Sequence, residues 1–192
     1  MTILTPQLSL DFDHTYECEV ASETTGRENR KFFYPGATTE GGRDGLMVNV
    51  IPYKGDPWLG IFAFGKVTPK GVTGIFSMPN SECLCVVAQG NAFIVSVNDP
   101  STWESVRAIP VIDVRCIVKH GIIVFATFTE LVAYGSSGLK WRTKRLTWDS
   151  LKVVEVTDDL LKGEYWDIRS ESKQSFTVDL ATGNHQGGID AI

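Results

Sequence analysis

The sequence predicts an all-β domain of antiparallel four-stranded repeats in a propeller-like arrangement. Three observations predict it. Apolar residues recur in short runs at a two-residue period; Gly, Pro, Asn and Asp gather between the runs; and one four-run pattern returns at about 40 residues. The rival built from the same hairpins is a two-sheet β-sandwich, because local patterning does not separate a ring of sheets from a stacked pair.

Near the start, Leu8, Leu10 and Phe12 alternate with Ser9, Asp11 and Asp13, which reads as a lone strand after Pro6. Its expected role is to close the array by pairing with the last repeat. Tyr16–Val20 is a second strand. Residues 21–45 are the most polar part of the chain, and only Lys31–Tyr34 has strand character there. The stretch 35–45 reads either as a disordered connector or as an exposed binding loop, with Arg43 and Asp44 as its candidate contact residues. Leu46–Tyr53 and Trp58–Gly65 flank the turn Lys54-Gly55-Asp56-Pro57. The strands within 15–73 are expected to form an irregular first unit.

From Gly74 the pattern is regular. Ile75–Met78, Cys83–Ala88, Ala92–Val97 and Glu104–Ile109 make up the unit 74–110. Ser101 and Glu104 have capping-box spacing, which predicts a single helical turn around Trp103. The unit 111–150 is the most legible. Ile112, Val114, Cys116 and Val118 alternate with Asp113, Arg115 and Ile117, and Lys119-His120-Gly121 then reverses the chain, Gly supplying the positive φ. Ile122–Thr127 is apolar on both faces, as suits a strand covered on both sides. After the run Glu130–Tyr134 and the turn Gly135-Ser136-Ser137-Gly138, Leu139, Trp141 and Thr143 alternate with Lys140, Arg142 and Lys144, leaving one face wet. Leu84–Ala88 falls on Ile122–Ala126, and Trp103 on Trp141, both at an offset of 38. A looser third unit, 151–192, holds Leu151–Val156, Leu160–Asp167, Ser175–Leu180 and a weak outer strand near Asn184–Gly188. Residues 1–192 are expected to be one domain.

The segment ELVAYGSSGLKWRT, residues 130–143, resembles the repeat of quinoprotein-type (PQQ-like) β-propellers: an apolar strand, a tight Gly turn and an exposed Trp-Arg strand. The resemblance covers about one blade. It implies the fold and brings no residue of known function with it.

A chain of 192 residues with 43% hydrophobic content can bury one substantial core. Its net charge of −5 argues against nucleic acid or an anionic membrane as the main partner. No apolar run approaches the ~18 residues of a spanning helix. The opening residues lack a positive n-region and a long apolar core, so no secretory signal is expected. The four cysteines have no regular framework and read as reduced thiols, from which a cytoplasmic location is expected.

Several groups have chemistry to offer, each beside a plainer account. Cys83 and Cys85 share one strand face, but a metal clip needs a second pair or nearby histidines, and Cys85 reads as a small buried hydrophobe. Asp11, Asp13 and His14 stand in metal-like proximity near a terminus, where a solvated segment is the plainer reading. His120 and His185 read as turn residues, since neither has a sequence neighbour to orient a general base. Motifs for a nucleophile, a zinc protease or a phosphate loop are missing. The basic run Lys140–Arg145 suggests nucleic acid, but its period puts Trp141 and Arg142 on opposite faces. The acidic stretch 155–167 is expected to lie alongside and neutralise it.

The chain therefore reads as a non-enzymatic β-rich binding or accessory protein that presents loops to a protein or small-molecule partner, with no metal and no cofactor. An incomplete ring closing on a second copy would make it a homodimer. The competing reading is an enzyme or small-ligand sensor with its site in a central cleft.

Overall fold

The computed structural model describes residues 6–21, 30–35, 37 and 45–189. Strand β1 (Gln7–Ser9) is followed by four sheets in chain order. Sheet I holds β2 (Tyr16–Val20), β3 (Lys31–Tyr34), β4 (Gly45–Pro52) and β5 (Trp58–Ala63). Sheet II holds β6 (Gly74–Ser77), β7 (Cys83–Ala88), β8 (Asn91–Ser96) and β9 (Trp103–Ser105). Sheet III holds β10 (Asp113–Ile117), β11 (Ile122–Ala126), β12 (Leu131–Gly135) and β13 (Gly138–Arg142). Sheet IV holds β14 (Lys152–Val156), β15 (Leu160–Asp167), β16 (Ser172–Asp179) and β17 (His185–Gly187). Sheets II, III and IV are antiparallel meanders in sequence order.

The two-residue period decides how the sheets stack. In β7, Leu84 and Val86 face sheet I and meet Val48, Val50, Trp58 and Phe62, while Cys85 and Val87 face sheet III. In β11, Ile123 and Phe125 face sheet II, while Ile122 and Val124 face sheet IV and meet Leu161, Phe176 and Val178. Each such side chain contributes about 1.5–3 kcal/mol on full burial, so these three apolar seams fix the order I–II–III–IV. Among the described residues no core joins sheet IV back to sheet I. The fold is all-β and propeller-like: four sheets in series, each on the next, not two faces of a sandwich. No helix among the described residues is long and apolar enough to cross a membrane.

Two seams carry the same polar tie. Trp58 of sheet I donates its indole N–H to the Val97 carbonyl at 3.0 Å, and Trp141 of sheet III donates to the Leu180 carbonyl at 2.9 Å. In both, the acceptor lies 39 residues further on, in the next unit.

The first unit is the irregular one of the four: in sheet I, β3 lies parallel to β5 and the order is β2-β4-β5-β3. Three expectations need correction. The opening strand does not close the array: β1 pairs in parallel with β6, extending sheet II at its inner edge. Trp103 sits in strand β9 instead of a helical turn, because Asp99 takes up the Ser101 and Thr102 hydroxyls and shapes a turn leading into the strand. The offset of 38 superposes similar letters on opposite faces. Leu84 looks back to sheet I, whereas Ile122 looks forward to sheet IV; an alignment that is one residue out inverts every side chain.

Candidate functional site

The chain that leaves β13 runs beside the turn between β16 and β17, and the two are pinned together at both ends. At one end the Trp141 indole bonds to Leu180 and lies against Gly183. A Cβ at Gly183 would stand 2.8 Å from the Trp141 ring, and its φ of +74 also suits glycine. At the other end the Ile189 N–H donates to the Leu146 carbonyl at 2.9 Å. Between these pins the walls part and leave a cleft of about 700 Å³. Arg142, Lys144 and Arg145 line one wall; Thr182, Asn184 and His185 line the other.

No carboxylate lines this cleft among the described residues. Arg142 is partly compensated, forking onto Glu130 with its Nε at 2.7 Å from Oε2, and that hydrogen bond raises its pKa further. Arg145 is held by carbonyls instead: Nε donates to Thr147 at 3.0 Å and Nη2 to Trp148 at 2.8 Å, with the guanidinium 5.2 Å over the Trp148 ring. Its charge is therefore oriented without being neutralised. Lys144 is exposed and has no ion pair or hydrogen bond among the described residues. On the facing wall, Asp179 turns away to Thr182, accepting from its hydroxyl at 2.7 Å and its N–H at 2.8 Å. Those bonds hold the Asp179 carboxyl below its usual value.

The acidic stretch expected to neutralise the basic run is engaged elsewhere. Glu155 pairs with Lys162, and Glu164 with Lys152 and Lys173, all on the outer face of sheet IV. Asp158 pairs with Lys119, and Asp159 with His120. Trp141 does face away from Arg142, buried toward sheet IV.

Other candidates fall in different places. Arg43 and Asp44 lie outside the described residues. The Tyr16 hydroxyl donates to the Cys83 carbonyl at 3.2 Å, and the four thiols are free. Burial raises every one of them, Cys18 and Cys116 to about 11. Asp11 accepts from the Ser9 hydroxyl, and His14 meets the Phe12 carbonyl at 2.9 Å through Nδ1. No group of three or more His, Cys, Asp or Glu among the described residues is placed to hold a metal ion. His120 reaches the Asp158 carbonyl across the III–IV seam, and His185 meets the Gly187 carbonyl at 3.0 Å in the cleft wall. The cleft itself escapes sequence reading because its walls are about 40 residues apart; the only signal was the basic run on one of them.

No family model matches the sequence, and no curated protein does. Among solved structures, the N-terminal domain of Nup159 is similar with a TM-score of 0.41 and 12% identity, over 96% of this chain. The chain spans about half, 53%, of that structure's length.

Proposed function

We propose that this chain is a non-enzymatic binding protein whose ligand seat is the cleft between the outer strands of sheets III and IV. One observation carries the reading: two walls pinned at Trp141–Leu180 and at Leu146–Ile189 hold open a cleft of about 700 Å³ lined by polar side chains. Rigid sheets with clefts at their outer edges suit recognition, because the binding groups are positioned before the ligand arrives.

A neutral plug tests this. Asn184 is exposed and its side chain has no hydrogen bond among the described residues, so Asn184→Trp fills the mouth without changing charge. A random-peptide display library panned on the wild-type protein is expected to yield clones that the plugged variant no longer holds. Clones retained by Asn184→Trp, or no enrichment at all on the wild type, would remove the cleft as the seat. An unchanged thermal melting curve for the variant ensures that loss of binding is not loss of fold.

A further inference from the structure

We infer that the cleft takes an acidic peptide segment of a partner protein, an inference that rests on the cleft being the ligand seat. The chain as a whole carries 23 Asp and Glu against 18 Lys and Arg, so a wall of three cations is not overall charge spilling over. Among the described residues, the nearby acidic stretch and the facing wall have partners elsewhere: Glu155 and Glu164 pair with lysines of sheet IV, Asp158 pairs with Lys119, and Asp179 accepts from Thr182. Lys144 has no ion pair among the described residues, and the Arg145 fork is already oriented by two backbone carbonyls. Both features favour carboxylates, since an oriented guanidinium gives up little freedom on pairing.

The form of the cleft separates this ligand from other anions. Its volume far exceeds one phosphate, and its guanidinium groups are held by different anchors, Arg142 by Glu130 and Arg145 by Thr147 and Trp148. No Trp, Tyr or Phe lines it among the described residues, and its one imidazole, His185, meets the Gly187 carbonyl, so the bases of a single-stranded nucleic acid would lack the usual stacking platforms. The wall opposite the cations ends in β17, the last strand of its sheet, and extended peptides commonly lie beside such edges.

The experiment is fluorescence anisotropy with a labelled Asp/Glu-rich peptide, a Ser/Asn-rich peptide of equal length, single-stranded DNA, and inorganic phosphate as competitor. Lys144→Glu reverses a charge inside the cleft; Lys140→Glu reverses another exposed one on β13 that does not line it. The acidic peptide is expected to bind, to weaken about tenfold or more in Lys144→Glu and to change little in Lys140→Glu. Its affinity should also fall as salt shortens the screening length. Equal loss in both lysine variants would reduce the effect to general charge and overturn the inference. So would displacement by phosphate, tighter binding of DNA, or equal binding of the neutral peptide. Neutral-peptide binding that Asn184→Trp abolishes would keep the seat and remove the acidic ligand. Acidic-peptide binding indifferent to both Asn184→Trp and Lys144→Glu would remove the seat.

Discussion

Tyr16 is fully buried where sheet I meets sheet II and donates to the Cys83 carbonyl, and the four thiols lie in or against the I–II and II–III cores. Cys85 is buried and the other three are half-buried, and burial penalises the thiolate that reagents and metals require. Cys18 and Cys116 are pushed from 9.0 to about 11 chiefly by desolvation. Alkylation by iodoacetamide near neutral pH is therefore expected to be slow in the folded protein and fast in denaturant, as read by mass spectrometry. Rapid native labelling of either cysteine would contradict this burial. The same shifts bear on stability. A thiol that stays protonated longer when folded contributes fully below pH 9 and loses that contribution as pH rises through about 11. The melting temperature should accordingly drop across that window, and serine at Cys18 and Cys116 should flatten the drop.

Among elements, the turns and the seam tryptophans do most to position the cleft. Asp99, Asp167 and Asp179 each accept from a Ser or Thr hydroxyl three residues on, so three sheet-edge or inter-strand turns use one D-x-x-[ST] device. Asp179 shapes the wall that carries Asn184 and His185. Trp141 anchors the other wall, and its N–H gives the Leu180 carbonyl a buried partner. Trp141→Phe keeps most of the ring and removes the donor; it is expected to cost about 1–3 kcal/mol, read as a lower urea midpoint with an unchanged slope. The same variant should weaken acidic-peptide binding, because one end of the cleft loses its pin.

For the whole molecule, serial stacking predicts a gradient of stability. Sheets II and III are covered on both faces, whereas sheets I and IV each meet one neighbour among the described residues. The outer face of sheet IV is solvated and laced with ion pairs between exposed lysines and Glu155 or Glu164, which add little to stability. Hydrogen exchange should then be slowest in β7, β8, β11 and β12, the middle strands of the interior sheets, and faster in the edge strands β2 and β14. Protection spread evenly over the four sheets would show that they unfold as one unit.

Strand positions were legible in residues alone where apolar letters alternate between strong turns. Ile122–Ala126, with both faces apolar, declared a strand between two neighbours, and Gly135–Gly138 declared the hairpin from β12 to β13. What alternation cannot convey is which neighbour each face meets. Leu84 and Ile122 look alike in the sequence and point toward opposite ends of the array. Nor can it assign a strand to a non-local edge, as with β1 on β6. The cleft was hidden for the same reason: Arg145 and His185 are neighbours only because Trp141 finds Leu180 and Leu146 finds Ile189. Local sequence sets each strand's two faces through backbone geometry, while the pairing of faces and the fate of each carboxylate depend on contacts between distant units, which only tertiary packing selects.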